Sequence, residues 1–162
     1  PGRVPHSCTK INNVLFDRHT DEAVCVVDLD TVMPGLVLYD FGDCVRSTTC
    51  SGEEDEQDLS KIHLDIELFT ALTKGYLATA GAFLTDAEIV HLAFSARLIT
   101  YEIGIRFLAD HLNGDTYFRV RRPNHNLDRA RVQFTLLASM EEQQEEMERI
   151  VADVAADDDT DE

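Results

Sequence analysis

The residues of this chain best suited to chemistry are an amide and a carboxylate at the two ends of a predicted β-hairpin. Asn13 directly precedes a short apolar run, Val14 to Phe16, and Asp28 directly follows a second apolar run, Ala23 to Val27. A polar turn joins the two runs, so the hairpin would bring both side chains to one point. Such hard oxygen ligands suit a magnesium ion with phosphate as co-ligand, because Mg²⁺ takes only one or two protein carboxylates together with phosphate oxygens.

The composition is that of a globular protein with enough apolar residues for one core. The chain has 162 residues, of which 44% are hydrophobic and 28% are charged, as in ordinary soluble domains. No apolar run approaches the ~20 residues that a membrane span needs, so we expect no membrane partner. The net charge of −17 argues against nucleic acid as a partner, because phosphate contacts need a basic face.

The two ends of the chain carry separate expectations. The opening Pro-Gly-Arg-Val-Pro has neither an initiator Met nor a signal peptide, and we expect that it continues a longer protein. Residues 141–162 hold 11 acidic residues and one basic residue. We expect residues 153–162 to form a disordered tail or a frayed helix end. The domain itself is expected to span residues 1–152.

Neither the cysteines nor the histidines indicate a metal site. The four cysteines form no CxxC pair, which favours a reduced, cytoplasmic protein without a zinc site. Cys25 lies in the second apolar run and is predicted to be a small core residue. The six histidines are dispersed along the chain, and no pair has the spacing of metal ligands.

The elements that follow the hairpin are predicted to be mainly helical. Pro34-Gly35 breaks the chain behind the hairpin, Leu36 to Val45 is a mixed segment, and residues 47–61 are predicted to form an acidic loop. Asp65 precedes a pattern whose apolar residues share one face at i, i+3, i+4 spacing, and Gly81 ends this helix.

Three further helices are predicted from their start and stop signals. Thr85 opens a capping box before a helix that should reach about His111. Asn126 can cap a helix through Leu137, and Ser139 repeats the capping pattern before a final, strongly charged helix. The sequence therefore predicts an α+β fold, mainly α, with one hairpin on four helices.

Three motifs follow one another along the chain. They are His6-Ser7-Cys8-Thr9-Lys10-Ile11-Asn12-Asn13-Val14, then Val26-Val27-Asp28-Leu29-Asp30-Thr31-Val32-Met33-Pro34-Gly35, then Tyr39-Asp40-Phe41-Gly42-Asp43. Together they resemble the C-terminal lobe of the protein-kinase-like aminoglycoside phosphotransferase family, and within it the N-acetylhexosamine 1-kinases. The similarity continues to about Ala152, through Gly104–Phe107, Gly114–Phe118 and His125–Arg129.

The resemblance implies a fold, a reaction and its metal and phosphate ligands. The fold would be a protein-kinase-like C-terminal lobe, with the metal ligands on the hairpin beside a helical bundle. The reaction would move the γ-phosphate of ATP, bound with Mg²⁺, to the anomeric hydroxyl of an N-acetylhexosamine. Asn13 and Asp28 would bind Mg²⁺, Asp30 would bind the metal or a sugar hydroxyl, and Lys10 would lie near the γ-phosphate.

The resemblance also implies which residues bind the sugar and brace the loop. Arg106 and Tyr117 would hold the sugar, while His6 and Asp40 would support the catalytic loop. The residues themselves leave plainer roles open. Arg106 can form an i, i+4 ion pair with Glu102, worth ~0.3–0.5 kcal/mol. Other plain roles are a turn cap for Asn13, a strand end for Asp28, a hydrogen-bonding role for Asp30, an exposed loop residue for Lys10 and a packed aromatic for Tyr117.

Two departures from the family pattern bear on activity. Cys8 stands where the family has its catalytic Asp. A thiol, with a pKa of about 8.5 against about 3.9 for Asp, is mostly protonated at neutral pH and accepts a proton poorly. In addition, no nucleotide lobe with its Lys and Gly-rich loop precedes His6. We therefore expect the chain as given to bind ATP weakly and not to turn over.

Three other functions stay open at this point. The chain can be a non-catalytic, pseudokinase-like binding domain, which the cysteine and the absent lobe favour. It can be an aminoglycoside or choline-type kinase on the same fold, which the acidic charge favours. A nucleophilic role for Cys8, activated by His6 two residues away, is a third alternative.

Overall fold

The computed structural model describes residues 2–158 and shows a mainly helical α+β fold with one small antiparallel sheet. The sheet consists of β1 (Val14–Phe16) and β2 (Ala23–Val26). The helices are α1 (Leu38–Thr48), α2 (Ile66–Ala80), α3 (Asp86–Val90), α4 (Leu92–Leu112), α5 (His125–Glu142) and α6 (Gln144–Asp158). Short 3₁₀ turns occupy Ile11–Asn13, Leu29–Thr31, Leu59–Lys61 and Gly81–Phe83. No helix within residues 2–158 combines the length and the apolar character needed to cross a membrane.

The predicted hairpin forms, but it lies on the surface. Val14 pairs with Val26 and Leu15 with Cys25, in antiparallel register. All four residues of β2 are exposed, so the prediction that Cys25 is a core residue is wrong. An apolar run predicts a buried strand, but within the described residues neither a third strand nor a helix packs over β2.

The segment predicted to be mixed is instead a regular helix, α1. Phe41 and Val45 lie four residues apart and are fully buried, whereas the polar residues between them obscured the helical period. Gly42 is required here because a Cβ atom would lie 2.6 Å from the carbonyl oxygen of Ser95. The missing side chain lets α1 lie directly against α4, so this contact places the segment that follows the hairpin.

The predicted boundaries of α2 and the predicted start of α3 are confirmed. The Asp65 side chain accepts hydrogen bonds from two backbone N–H groups in the first turn of α2, and Gly81 follows its last residue. Thr85 and Glu88 form the predicted capping box. The helix that follows is interrupted, however, since α3 ends at Val90 and α4 starts at Leu92.

The boundaries of the last two helices differ from the prediction. Asn126 does not cap α5, because it lies inside the helix and Asn124 occupies the cap position. Ser139 also lies within α5, where its hydroxyl accepts a hydrogen bond from the backbone N–H of Leu64 at 3.0 Å. The described residues therefore hold six helices and not four.

The core forms where α4 packs against α1 and α5, and where α2 packs against α6. Its fully buried side chains come from five helices: Phe41, Phe69, Leu92, Leu136, Met140 and Met147. Helix α6 continues through Asp158, beyond the predicted start of the tail at residue 153. Residues 159–162, the rest of that predicted tail, lie outside the described residues.

An ion pair ties the N-terminal segment to α3. The Arg3 guanidinium donates from Nε to Glu88 Oε1 at 3.0 Å and from Nη2 to Glu88 Oε2 at 2.9 Å. Arg3 also exchanges two backbone hydrogen bonds with Gly35. The Arg3 hydrogen bonds, together with the Thr85 N–H, lower the pKa of Glu88 from its ordinary 4.5 to about 2.

This lowered pKa predicts a pH-dependent contribution of Glu88 to stability. A carboxyl whose pKa is depressed in the folded state stabilises the fold above its unfolded pKa and loses that contribution as the pH falls through the folded value. We expect Glu88→Gln to lower the free energy of unfolding in urea at neutral pH. The difference from wild type should shrink between pH 4.5 and about 2. Glu53→Gln, at an exposed loop carboxylate, is the control, and an equal pH dependence in both variants would contradict the assignment.

Candidate functional site

The hairpin register brings Asn13 and Asp28 together. The backbone N–H of Val27 donates to the carbonyl of Asn13 at 2.9 Å, which extends the ladder one step beyond the Val14 pair. As a result, Asn13 Nδ2 lies 3.3 Å from Asp28 Oδ2. Asp28 adopts a left-handed conformation, with φ of 64°, at the start of a 3₁₀ turn. An Asp tolerates this conformation better than most residues, so the chain can turn directly after the strand.

The donor set at this point fits a hard cation that shares its ligands with phosphate. Asn13 Nδ2 donates to the backbone carbonyl of Cys8 at 2.8 Å. This bond and the contact with Asp28 both use Nδ2, so Oδ1 is the amide atom that would have to bind a metal. One amide oxygen and one carboxylate match a magnesium site that is completed by phosphate oxygens and water. Residues 2–158 contain no cluster of three or more His, Cys, Asp or Glu side chains able to bind a metal by themselves.

A carboxylate on α1 holds the loop that precedes Asn13. Asp40 accepts hydrogen bonds from the backbone N–H groups of His6, at 2.8 Å, and Ser7, at 2.7 Å. The Thr9 hydroxyl donates to the Asp40 carbonyl at 2.6 Å. Ser7 has a φ of 64°, an unusual value for this residue type that needs such support. Asp40 therefore acts through the backbone of the loop.

His6 supports the same loop from the other side. Its Nε2 lies 3.1 Å from the carbonyl oxygen of Val27, and its own carbonyl accepts a hydrogen bond from the Thr31 hydroxyl at 2.7 Å. These contacts link the loop to both ends of the segment that carries Asp28. His6 is therefore hydrogen-bonded to residues on both sides of Asp28.

Cys8 lies beside Asn13 and keeps its proton. Its sulfur is 3.5 Å from Asn13 Nδ2. Burial raises the pKa of the Cys8 thiol, an effect that the nearby Lys10 ammonium only partly offsets. A nucleophilic cysteine requires the opposite shift, so the geometry does not support that alternative.

A cavity of about 530 Å³ between the loop and α4 gathers four of the predicted site residues. Its lining includes Cys8, Lys10, Arg106 and Tyr117. Asn13, Asp28 and Asp30 are not among the lining residues, and Asp30 is exposed in the 3₁₀ turn after Asp28. The structure therefore brings Arg106 and Tyr117 to one cavity with Cys8, whereas Asp30, the third residue predicted to bind the substrate, lies outside it; Asn13 is next to Cys8.

Aromatic rings, and not a carboxylate, hold Arg106. Its guanidinium lies 5.7 Å from the ring centre of Tyr117 and 5.6 Å from that of Phe118, and Nη2 is 3.5 Å from the Tyr117 hydroxyl. Glu102, the i−4 neighbour, makes no ion pair with it in the described part of the chain. The cation is therefore positioned but not neutralised, which leaves its N–H groups available to a ligand.

The loop that carries Tyr117 is held by a residue that the sequence analysis missed. Asp110, buried in the last turns of α4, accepts hydrogen bonds from the backbone N–H groups of Thr116, Tyr117 and Phe118 at 2.8–3.0 Å. Asn126 donates to the same carboxylate at 2.9 Å. Burial alone would raise the pKa of Asp110, but the three N–H donors outweigh it and the pKa is lowered.

A second missed group is the buried ion pair of Asp43 and Arg46. Arg46 donates to Asp43 Oδ1 from Nε at 2.9 Å and from Nη2 at 2.7 Å, and Glu54 lies 3.7 Å from its Nη1. All three side chains line the cavity. Because buried charges need paired partners, these two carboxylates compensate Arg46. Asp43 belongs to the Tyr39–Asp43 motif. Its i, i+3 spacing from Arg46 indicates an ion pair only on a helix, and the sequence did not predict that α1 is a helix.

Residues 9–77 match the family of phosphotransferase enzymes. The match supports the resemblance of this part of the chain to the aminoglycoside phosphotransferase family, and it suggests a phosphotransferase with a kinase-like fold. The phosphotransferase match contains Lys10, Asn13, Asp28 and Asp40, and it ends before α4, which carries Arg106.

The support that Asp40 gives to the loop can be tested by removing its carboxylate. Two hydrogen bonds to a charged acceptor would be lost, and Asp40→Ala should lower the free energy of unfolding by about 2–3 kcal/mol. Hydrogen exchange should accelerate at the amides of His6 and Ser7. Asp30→Ala, on an exposed carboxylate nearby, is the control. Unchanged exchange at those two amides in the Asp40 variant would refute this role.

Proposed function

We propose that this chain is the C-terminal catalytic region of a small-molecule phosphotransferase, with residues 1–152 as the domain. The approach of Asn13 to Asp28, at 3.3 Å, is the observation that carries the proposal. It lies inside the part of the chain that matches phosphotransferases. The 3.3 Å contact joins Asn13 Nδ2 to an Asp28 oxygen, and Asn13 Oδ1 with the same carboxylate would supply the oxygen ligands that a phosphate-bound magnesium ion needs.

The predicted site residues, both inside and beside the cavity, each have a role in binding the reactants. Asn13 and Asp28 would hold Mg²⁺, and the metal would neutralise charge on the phosphates of ATP when bound. Lys10 presents its ammonium to the same cavity, where it stabilises phosphate charge. Arg106 and Tyr117 lie across the cavity from the loop and bind the acceptor. Asp30, next to the metal ligands in sequence, is a further contact for the metal or a sugar hydroxyl.

An N-acetylhexosamine is the acceptor that we propose, phosphorylated at its anomeric hydroxyl. The resemblance of Val32-Met33-Pro34-Gly35 and Tyr39–Asp43 to sugar 1-kinases supports it. The exposed ring of Tyr117 offers a face for the apolar side of a sugar, and Arg106 offers N–H donors for its oxygens. A cationic acceptor, such as an aminoglycoside or choline, fits less well, because Arg106 has no carboxylate partner in the described chain.

A second candidate function is a binding domain without catalysis. Burial raises the pKa of Cys8, so this thiol is protonated at neutral pH and cannot accept the proton of the attacking hydroxyl. Position 8 would still orient that hydroxyl. On this view the chain retains the metal and acceptor contacts of a phosphotransferase but lacks the base.

The metal site can be tested with Mn²⁺ as a paramagnetic substitute for Mg²⁺. We expect the Mn²⁺–ATP complex to show enhanced water proton relaxation when wild-type protein is added, because binding slows its tumbling. Asp28→Asn should weaken this binding about tenfold or more, since it removes the carboxylate charge from the metal. The measurement is a titration of relaxation enhancement against protein concentration.

Asp21→Asn is the matched control for this titration. Asp21 is also an exposed aspartate in a left-handed conformation, with φ of 56°, but it lies in the hairpin turn away from Asn13. Its substitution should leave the titration unchanged. Equal binding by wild type and Asp28→Asn, or an equal loss in both variants, would contradict the site.

The role of position 8 can be tested by restoring a carboxylate. Wild-type protein should consume ATP in the presence of N-acetylglucosamine at no more than the background rate, and Cys8→Asp should exceed that background by about 10²-fold or more, the usual contribution of a general base. Cys8→Ser, which adds no base, should remain inactive. Turnover by the wild type, or no gain in Cys8→Asp, would show that this thiol does not limit the reaction.

A further inference from the structure

Helix α4 carries a line of large apolar side chains on its outer face. The exposed fractions are 48% for Phe94, 40% for Leu98, 50% for Tyr101, 41% for Ile105 and 76% for Leu112. Scattered exposed apolar residues are normal on protein surfaces, but a contiguous apolar patch marks an interaction site. These side chains therefore call for a partner surface.

The spacing of the line is that of a helix–helix seam. Phe94, Leu98, Tyr101, Ile105, Leu108 and Leu112 follow one another at alternating steps of four and three residues. This is the a/d pattern of a seven-residue repeat, which keeps one narrow stripe facing a second helix. The stripe extends from Phe94 to Leu112, 18 residue steps or about 27 Å at 1.5 Å per residue.

Neither the core nor the cavity explains this stripe. The opposite face of α4 already packs on α1 and α5, through buried residues such as Leu92, Ala96 and Phe107. The side that borders the cavity uses Ile103 and Arg106. Helix α4 is thus apolar on two separate faces, and the described chain covers the second only in part, through the contact of the Tyr101 ring with Phe134 of α5 at 6.4 Å.

The charges beside the stripe favour a second copy of this chain in parallel orientation. Arg97 flanks the stripe on one side and Glu102 on the other, five residues further along. In a parallel helix pair, these are the flanking positions that meet across the seam. Arg97 is 21% exposed and forms an ion pair with Glu141 of α5 at 3.8 Å, so it would contact Glu102 of a second copy in addition to Glu141. Glu102 has no ion-pair partner among the described residues. An antiparallel pair would instead bring equivalent flanks, and hence like charges, together.

We propose that the chain forms a parallel homodimer through the α4 stripe, with Arg97 of each copy beside Glu102 of the other. The contact is isologous, because the same stripe serves both copies. Glu102 also lines the cavity, so the dimer contact reaches the edge of the acceptor site. The strongly acidic helix α6 packs mainly on α2 and also contacts α3, α4 and α5.

Sedimentation equilibrium of the whole chain at micromolar concentrations tests this proposal. We expect wild type to be dimeric, and Ile105→Glu to be monomeric with unchanged far-ultraviolet circular dichroism. Val24→Glu is the control, since Val24 is an exposed apolar residue (62%) on the hairpin, and it should remain dimeric. A monomeric wild type, higher oligomers, or a dimer that Val24→Glu disrupts while Ile105→Glu does not would overturn the proposal.

Charge reversal tests the parallel orientation separately. Arg97→Glu and Glu102→Arg should each weaken the dimer about fivefold or more, and the double variant should recover most of that loss. A double variant no tighter than the single variants would show that these two residues do not meet across the seam.

Discussion

The register of one short hairpin determines the candidate site. Because Val14 pairs with Val26, Asn13 lies opposite Val27. Asp28 is the next residue after Val27 and therefore comes close to Asn13. A shift of one residue would turn every side chain of the strand to the opposite face and would separate Asn13 from Asp28. The hairpin is exposed and only two strands wide, which is marginal for stability by itself. The bonds of His6 and Asp40 to the neighbouring loop therefore help to keep this register.

Two buried or half-buried carboxylates fix the loops that line the cavity. Asp40 holds the loop with Cys8, and Asp110 holds the loop with Tyr117, in each case by accepting hydrogen bonds from successive backbone N–H groups. Charged acceptors make stronger hydrogen bonds than neutral ones. These hydrogen bonds fix the conformation of the irregular backbone on both sides of the cavity. A binding site for a small acceptor requires such fixed loops.

The local parts of this architecture were predictable from the sequence, and the parts that depend on tertiary packing were not. The convergence of Asn13 and Asp28 follows from a hairpin, and the cap of α2 and the box at Thr85 follow from adjacent residues. The exposure of Cys25 depends on what covers the sheet. The place of Ser139 inside α5 depends on the backbone of Leu64, which is far away in sequence. The role of Asp110 likewise appears only when the loop folds back over the end of α4.

The central claim is that Asn13 and Asp28 bind one cation together. Anomalous diffraction from crystals soaked with Mn²⁺ and ATP tests it most directly. If the two side chains share the cation, an anomalous peak is expected about 2.1 Å from Asn13 Oδ1 and from an Asp28 carboxylate oxygen, as for an octahedral hard cation. A peak bound elsewhere on the protein, or nucleotide density without metal at these two residues, would contradict it.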